Sequence, residues 1–369
     1  MPHPSVAPSL PALLACAVAV AVAPPAAAQI ALGPDATLDV SGGVQPRIGL
    51  GVQEVGAEDR TDTRLGVGLR RARIQFNLTY RDRVGLEYDV DTAPGDVRGV
   101  DLFGFYDVSD NVQLRAGRLP VAQPRAYIPT SYTRIDAIDR AVIAERWAGG
   151  TIGSSGRDFG AEVEVSAGDT EWLVSLHNGG GGFSRATDNF RESGSAGSLT
   201  RGTDNVAMAI GTSVHHEAGG GVSFGGYAGY NAAGSEDTEF DDVRRSYATA
   251  AAHLYWGERP GSQPVRLKAD AVGIRYEDVA GFTQQSLGVL GFGAVRVLGH
   301  GEAFARVEQF WEDADRDGAT YGTVGLSYSA SAALGRDYRD VRVTAAYTVR
   351  QDEADDVGHL VIVQGQIVF

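Results

Sequence analysis

Apolar and polar residues alternate strictly along most of the chain from about residue 38 onward. The clearest example runs from Arg71 to Tyr80, where the apolar side chains occupy one face and the polar or charged side chains occupy the other. A period of two residues is the pattern of a β-strand whose two faces meet different environments. About 16 segments of this kind succeed one another, so the pattern predicts an all-β protein.

The connections between the predicted strands alternate between short turns and longer loops. Tight turns at Arg81-Asp82 and Ser109-Asp110 alternate with loops such as 54–63 and 179–202. Short turns at one end, longer loops at the other and an even number of strands are typical of outer-membrane barrels. We therefore predict a 16-stranded antiparallel transmembrane β-barrel. Its strands are predicted near residues 37–53, 64–80, 83–92, 99–108, 111–119, 158–167, 170–178, 203–216, 221–231, 244–257, 264–276, 284–298, 301–312, 320–330, 338–351 and 357–369.

A long insert, residues 120–157, separates two of the predicted strands. Loops of this length inside a compact domain are usually functional. Within the insert, the apolar residues Ile135, Ile138, Val142 and Trp147 recur near helical spacing. This spacing predicts a short helix between residues 134 and 147 that packs the loop against the wall.

Residues 1–28 have the pattern of a secretory signal peptide. An apolar segment over about residues 12–23 is followed by the small residues Ala26-Ala27-Ala28, which is the form of a cleavage site. We predict cleavage after Ala28, which leaves residues 29–369 as a single barrel domain. Beyond this segment, no run of apolar residues is long enough for a membrane helix.

Cysteine content and net charge narrow the function classes. The only cysteine, Cys16, lies within the predicted signal peptide, so no disulfide framework, cysteine nucleophile or cysteine metal site is predicted in the mature chain. Lipidation at Cys16 is the alternative to plain cleavage. The formal net charge of −15 disfavours nucleic acid as a partner, because nucleic-acid binding needs cationic surfaces.

Three short segments carry a family resemblance. Gly117-Arg118-Leu119-Pro120, Ile138-Asp139-Arg140 and Arg157-Asp158-Phe159-Gly160 resemble the third-loop region of the phosphate-selective porin O and P family. The resemblance implies a homotrimer in the bacterial outer membrane. Each subunit would be a 16-stranded pore, narrowed where residues 120–157 fold inward. The family's phosphate-selective members line the pore with a ladder of basic residues, often lysines, whereas Lys268 is the only lysine here.

Alternation assigns charges of both signs to the lumen. The predicted inward-facing residues are Arg47, Arg71, Arg73, Arg115, Arg266, Arg306 and Arg342 together with Glu87, Asp89, Glu162, Glu164, Asp270 and Glu308. Because Arg71 and Arg73 lie on the strand adjacent to Glu87 and Asp89, we expect some charges to pair across strands.

The insert adds charges of both signs to this lumen. Arginines on the wall that face carboxylates on a loop create a transverse field at a constriction, and such a field selects ions. The alternative is that these arginines are ion-paired parts of the loop architecture. We predict the following pore and constriction residues: Arg71, Arg73, Arg115, Arg118, Arg134, Asp136, Asp139, Arg140 and Arg146.

Two groups of residues have side chains of the kinds that bind metal ions. Asp313, Asp315 and Asp317 have the spacing of the first half of a calcium loop, but Val324 occupies the place of the bidentate glutamate. A Ca²⁺ site is therefore a weak candidate beside a solvated acidic loop, and no other cofactor is predicted. The histidines His215, His216 and His253 have no partners at metal-ligand spacing, so structural roles are expected for them.

The leading hypothesis is a porin for passive diffusion of small solutes that favours anions such as phosphate. A general porin with little selectivity or with cation preference is the alternative. An outer-membrane barrel enzyme and a structural barrel with a plugged lumen are further alternatives. Ser, His and Asp are all present, as in most chains, but lone matches carry little weight, and no catalytic residue is predicted. Expected partners are outer-membrane lipid, lipopolysaccharide and small anionic solutes.

Overall fold

The computed structural model describes residues 28–55, 60–93, 95–127, 129–145, 156–179, 208–232, 245–278, 283–297, 299–314, 318–351 and 357–369. Strands dominate this part of the chain. They are β1 (Ala28–Ala31), β2 (Ala36–Val55), β3 (Arg60–Tyr80), β4 (Val84–Asp91), β5 (Arg98–Ser109), β6 (Val112–Leu119), β7 (Asp158–Ala167), β8 (Thr170–His177), β9 (Ala209–Gly219), β10 (Val222–Asn231), β11 (Arg245–Trp256), β12 (Val265–Asp278), β13 (Thr283–Val297), β14 (Gly301–Trp311), β15 (Ala319–Ser329), β16 (Val341–Gln351) and β17 (Val357–Val368).

Sixteen of these strands, β2 to β17, close into an antiparallel barrel. Each strand from β2 to β16 pairs with the strand that follows it in the sequence. The ring is closed by β17, which pairs antiparallel with β2 from Gly358–Gln53 to Val368–Gly43. Closure gives every one of these strands a partner on both edges. The predicted 16-stranded antiparallel barrel is confirmed.

One short strand, β1, was not predicted. It pairs with the start of β2, from Ala28 opposite Val40 to Ala31 opposite Thr37. This pairing continues the edge of β2 beyond the end of β17, where Gly42 and Phe369 exchange two backbone hydrogen bonds of 2.8 and 3.0 Å. Residues 1–27 lie outside the described residues, so the signal peptide remains a prediction.

The two faces of the wall follow the alternation of the sequence. On β14, Glu302, Arg306 and Glu308 share one face and are at most 9 % exposed, whereas Val307 between them is 59 % exposed. Apolar residues on one face and polar residues on the other are the arrangement of a barrel with an apolar exterior and a polar lumen. Among the described residues, no helix is long and apolar enough to cross a membrane.

The described part of the insert contains little helix. Tyr132–Arg134 form a single 3-10 turn, and residues 142–145 are helical. The helix predicted between 134 and 147 is therefore wrong for residues 135–141. Ile135 and Ile138 are nevertheless 4 % and 3 % exposed, because irregular backbone buries them as effectively as a helix would.

Candidate functional site

Polar side chains of distant strands hold the backbone of the insert. Gln366 on β17 donates to the carbonyl oxygen of Thr133 at 3.1 Å, and Arg342 on β16 donates to that of Ile135 at 3.0 Å. Arg306 on β14 donates to the carbonyl oxygen of Asp139 at 2.8 Å. The insert starts at β6, so these bonds connect it to strands on the other side of the ring.

Asp136 is the charged anchor of the insert. Its carboxylate lies 2.5 Å from Nη1 of Arg266 and 2.7 Å from Nζ of Lys268, both on β12. Arg266 in turn binds Glu302 at 3.0 Å. Burial alone would raise the pKa of Asp136, but the charges of Lys268 and Arg266 outweigh it and the pKa is lowered. Asp136 is therefore an ionised member of a buried network, as its partners require.

A bulge in β3 turns extra arginines toward the insert. Gln45 on β2 lies opposite Arg71, but the next residue, Pro46, lies opposite Leu69. Arg70 is therefore an additional residue without a partner across the ladder, as in a β-bulge. Its side chain lies on the inward face, where Nε is 3.2 Å from Asp139.

The bulge also shifts the alternation of β3 by one residue. On its N-terminal side, the outward residues are Leu65 and Val67, which are 74 % and 80 % exposed. The inward positions are taken by Arg64, Gly66 and Gly68, and the two glycines have open space where a Cβ would lie. The wall near the bulge is therefore built from arginine and glycine.

Asp139 is the carboxylate around which several of these arginines converge. Nη1 of Arg47 lies 3.3 Å from Oδ1, and Arg70 contacts the same oxygen. Arg70 is also 3.9 Å from Glu145. Asp139 is about one-third exposed, so water reaches these ion pairs and weakens them relative to those of Asp136.

Arg140 is a buried arginine with unused donors. Its Nη2 donates to the carbonyl oxygen of Thr130 at 2.8 Å, and its guanidinium lies 5.5 Å from the centre of the Tyr127 ring. Nε and Nη1 have no hydrogen-bond partner among the described residues. Burial, assisted by the charge of Arg71, lowers the pKa of Arg140 to about 9.

A cavity of about 590 Å³ lies between the insert and the wall formed by β2, β3 and β14 to β17. Two carboxylates, Asp139 and Glu145, contribute to its lining. Burial and the charge of Asp139 raise the pKa of Glu145. The lining is predominantly cationic, because six arginines outnumber these two carboxylates. Its arginines are Arg47, Arg64, Arg70, Arg140, Arg306 and Arg350.

Other predicted pore residues lie in ion pairs of the wall. Arg73 contacts Asp89 at 3.6 Å and Asp91 at 3.2 Å. Arg115 contacts Glu162 at 2.5 Å and Glu164 at 2.9 Å. These pairs agree with the expectation that some lumen charges would neutralise one another across strands.

The remaining arginines have mixed surroundings. Arg71 donates to Gln45 at 3.0 Å and is 7 % exposed. Arg118 is likewise 7 % exposed. Burial, together with the charge of Arg259, lowers the pKa of Arg134. Arg146 lies outside the described residues.

The calcium candidate is only partly described. Asp313 lies within the described residues, whereas Asp315 and Asp317 lie outside them. The weak Ca²⁺ site therefore stays a prediction. The acidic segments 236–242 and 352–356 also lie outside the described residues.

The contacts of His215 are not evident from the sequence. Nδ1 of His215 on β9 lies 3.0 Å from Nε2 of His253. His253 is on β11, the strand on the other side of β10. Nε2 of His215 lies 3.5 Å from Glu258, in the turn after β11. The expectation that His215 has no partners of a metal-ligating type is therefore wrong, because the strand register brings together residues that are far apart in sequence.

Three arginines of the cavity were also missed: Arg64, Arg70 and Arg350. Arg64 lies on the N-terminal side of the bulge and Arg70 is its additional residue, so the alternation counted from Arg71 assigns both to the wrong face. One signal was present in the sequence. Adjacent arginines at 70 and 71, opposite a strand containing Pro46, break the alternation in the way that bulges do.

Solved outer-membrane channels share this fold at low sequence identity. The anion-selective porin from Comamonas acidovorans has a TM-score of 0.68 at 12 % identity, over 91 % of this chain and 100 % of that one. OmpF of Salmonella typhi, in complex with daunomycin, has 0.60 at 12 %, over 92 % and 100 %. The channel DcaP of Acinetobacter baumannii has 0.57 at 13 %, over 93 % and 100 %. No family model and no curated protein sequence matches the chain.

Proposed function

We propose that this chain is an outer-membrane porin for passive diffusion of small solutes and that it favours small anions, phosphate among them. The observation that carries the anion preference is the charge of the cavity lining, in which six arginines face two carboxylates. The fold shared with an anion-selective porin supports a diffusion channel, and the charge balance of this chain's own cavity supplies the sign of the preference.

The chemistry of the cavity suits a small oxyanion. Six arginines and two carboxylates contribute to its lining, so an anion gains attraction that a cation does not. Low-dielectric walls strengthen such fields, and guanidinium groups offer paired N–H donors that match phosphate and carboxylate oxygens. The glycines at 66 and 68 leave the space beside Arg70 unfilled, so that a hydrated ion could approach it.

The insert, residues 120–157, would act as the constriction. Asp136 ties it to β12, and Asp139 ties it to Arg47 on β2. A loop fixed at two points of the wall would hold Arg140 at a constant distance from the opposing arginines. Selectivity at a narrow point depends on such fixed charges.

Reversal potentials across planar bilayers test the proposal. Refolded full-length protein in a KCl gradient should give a reversal potential of the sign expected for an anion-preferring pore, and phosphate should reduce the chloride current. Cation preference would overturn the anion proposal and leave a general porin. Absence of any conductance from folded protein would overturn the channel proposal itself.

A homotrimer is the proposed assembly. The outward residues Leu65 and Val67 are 74 % and 80 % exposed, and an exposed apolar surface on the barrel wall fits either lipid or a neighbouring subunit. OmpT of Vibrio cholerae, which shares the fold with a TM-score of 0.59, is described in a trimer form. Light scattering of the detergent-solubilised protein, corrected for bound detergent, should give three chains per particle; a monomer mass would contradict it.

A further inference from the structure

A second group of chemically reactive side chains lies apart from the arginine-lined cavity, near the turns that follow β9 and β11. It consists of His215 and Glu217 on β9 and Glu258 in the turn after β11. One nitrogen or oxygen atom of each residue lies within 4.8 Å of the corresponding atoms of the other two. His215 is 7 % exposed, Glu258 is half-buried and Glu217 is exposed.

The strand geometry explains why these side chains meet. His215 and Glu217 are two residues apart on one strand, so both point to the same face of the sheet. Glu258 directly follows Gly257, whose φ of +72° is the conformation that glycine adopts most readily. The turn directs Glu258 back over the sheet, with Oε2 lying 3.5 Å from Nε2 of His215.

The two nitrogens of His215 have different environments. Nδ1 lies 3.0 Å from Nε2 of His253, and the two rings are stacked with their centres 5.3 Å apart. Nε2 is buried and makes no hydrogen bond with any described residue. If Nδ1 donates its proton to His253, Nε2 presents a lone pair to carboxylate oxygens, with nothing positive between them. Such a convergence of electron-pair donors is unfavourable without a cation.

The spacing suits a small metal ion. A tetrahedral zinc site with bonds of about 2.0–2.1 Å has ligand atoms roughly 3.4 Å apart. The distance of 3.5 Å between Nε2 of His215 and Oε2 of Glu258 matches that separation. An imidazole with two carboxylates is a donor set for zinc and similar divalent transition metals, whereas calcium and magnesium prefer oxygen donors alone.

The second nitrogen of His215 has the role that metal sites require. A ligating histidine usually passes its other N–H to a neighbouring acceptor, which fixes the tautomer and the orientation of the ring. Nε2 of His253 lies 3.0 Å from Nδ1 of His215, and it accepts this proton in the tautomer that leaves Nε2 of His215 to the metal. Three protein ligands leave a fourth position for water or another small ligand, as in metal sites that exchange ligands.

The surrounding charges permit a divalent cation. Arg125 of the insert binds Oε1 of Glu258 at 2.7 Å, whereas Oε2 lies 3.5 Å from Nε2 of His215 and accepts a hydrogen bond of 3.5 Å from Ser223. Glu171 on β8 lies opposite His215 in the ladder. Among the described charges that act most strongly on His215, the carboxylates Glu171, Glu217 and Glu258 therefore outnumber Arg125.

We infer that His215, Glu217 and Glu258 form a binding site for a divalent transition metal ion such as Zn²⁺ on the inner wall of the barrel, with His253 as the residue that positions His215. This inference does not depend on the chain being a porin, because the site is defined by its own ligands.

Equilibrium dialysis of the folded full-length protein against Zn²⁺, after treatment with a chelator, tests the site. We expect one zinc per chain at saturation, and we expect His215→Ala to abolish this binding. His253→Asn should weaken it about 10- to 100-fold, the usual effect of losing a residue that orients a ligand. Co²⁺ in place of Zn²⁺ should give the visible absorption of a four-coordinate ion, which His215→Ala should remove.

Matched variants separate this site from adventitious binding to acidic loops. Glu217→Gln changes an exposed side chain, so it tests the site even if substitution of the buried His215 impairs folding. It should weaken binding, whereas His216→Ala should leave binding unchanged, because His216 is hydrogen-bonded to Thr170 instead. Zinc binding that survives both His215→Ala and Glu217→Gln, or absence of stoichiometric zinc in the unmodified protein, would overturn the inference.

Discussion

Lys268, the only lysine of the chain, holds its Nζ 2.7 Å from a carboxylate oxygen of Asp136. This pair joins β12 to the insert, and only 5 % of the lysine side chain is exposed. The ammonium group is therefore a structural partner of the insert and is not one step in a ladder of lysines. In the proposed pore, arginines supply the attraction for anions.

Asp136→Asn should destabilise the folded barrel. The substitution removes the negative charge between Arg266 and Lys268, which leaves buried cations with less compensation. Breaking a buried ion pair from one side costs on the order of 3 kcal/mol. Urea titration of the protein in detergent micelles should show a lower unfolding midpoint. Asp139→Asn is the matched control, because its carboxylate is one-third exposed and its loss should cost much less. Equal effects of the two variants would contradict this account.

Acid should weaken the same anchor. The pKa of Asp136 is lower in the folded protein than its ordinary value near 3.8, so ionised Asp136 stabilises the fold fully above that value. The stabilisation is lost as the pH falls below about 4 and through the folded-state pKa. The difference in unfolding midpoint between the unmodified protein and Asp136→Asn should therefore be smaller at pH 3 than at pH 6. A constant difference between them would be the contrary result.

Arg140→Gln should reduce the anion preference of the channel. The variant removes one of the six arginines of the cavity lining, and the loss of a fixed charge between low-dielectric walls weakens the attraction for anions. We expect the chloride-to-potassium permeability ratio to fall roughly tenfold, at about 1.4 kcal/mol per factor of ten. Arg98→Gln is the control, since Arg98 is exposed and paired with Asp96. A loss of anion preference that is the same for both variants would show that Arg140 has no special role.

Alkaline pH should have a similar effect on the unmodified channel. Burial lowers the pKa of Arg140 to about 9, so its charge is present at pH 7 and is lost as the pH rises through that value. The anion preference should decline between pH 8 and pH 10 and should be less pH-dependent in Arg140→Gln. The measurement is the reversal potential across this range. A pH profile that Arg140→Gln leaves unchanged would assign the titration to another group.

The bulge in β3 can be tested by two single-residue deletions. Deletion of Arg70 removes the additional residue and leaves every other residue of β3 on its present face, so the barrel should fold with a weaker anion preference. Deletion of Leu69 instead places Arg70 on the outward face, at a cost of about 2–4 kcal/mol near the middle of a bilayer. Unfolding midpoints should rank the two variants in that order. Equal stability would contradict the assigned faces.

Much of the barrel follows from local pattern. The predicted strands agree with the observed ones to within a few residues for most of the chain, as for 158–167 against Asp158–Ala167. Alternation also identified the inward face of Arg73 and Arg115, because each strand has one polar and one apolar face. The sequence pattern does not predict strand β1, since four residues are too few to establish a period of two.

The candidate site was less accessible from the sequence. Asp136 was recognised as a charge of the insert, but its partners Arg266 and Lys268 lie on a strand distant in the chain, and pairing across a closed ring leaves no local pattern. Arg70 was hidden by the bulge, since one additional residue reverses the face of everything beyond it. His215 meets His253 through strand register and meets Glu258 through the turn after β11, and neither contact leaves a local pattern.

The pairing of β17 with β2 also constrains how the chain acquires its shape. Every other pairing in the ring joins consecutive strands, whereas Gly358 and Gln53 come from opposite ends of the sequence. Contacts between distant residues form slowly, because chain entropy is lost before they are made. Until the twelve residues of β17, Val357–Val368, are in place, β16 and the part of β2 that pairs with β17 each carry an unpaired edge to which another chain can add. The pairing of β17 with β2 therefore distinguishes a closed barrel from an open sheet whose edges can bind other chains.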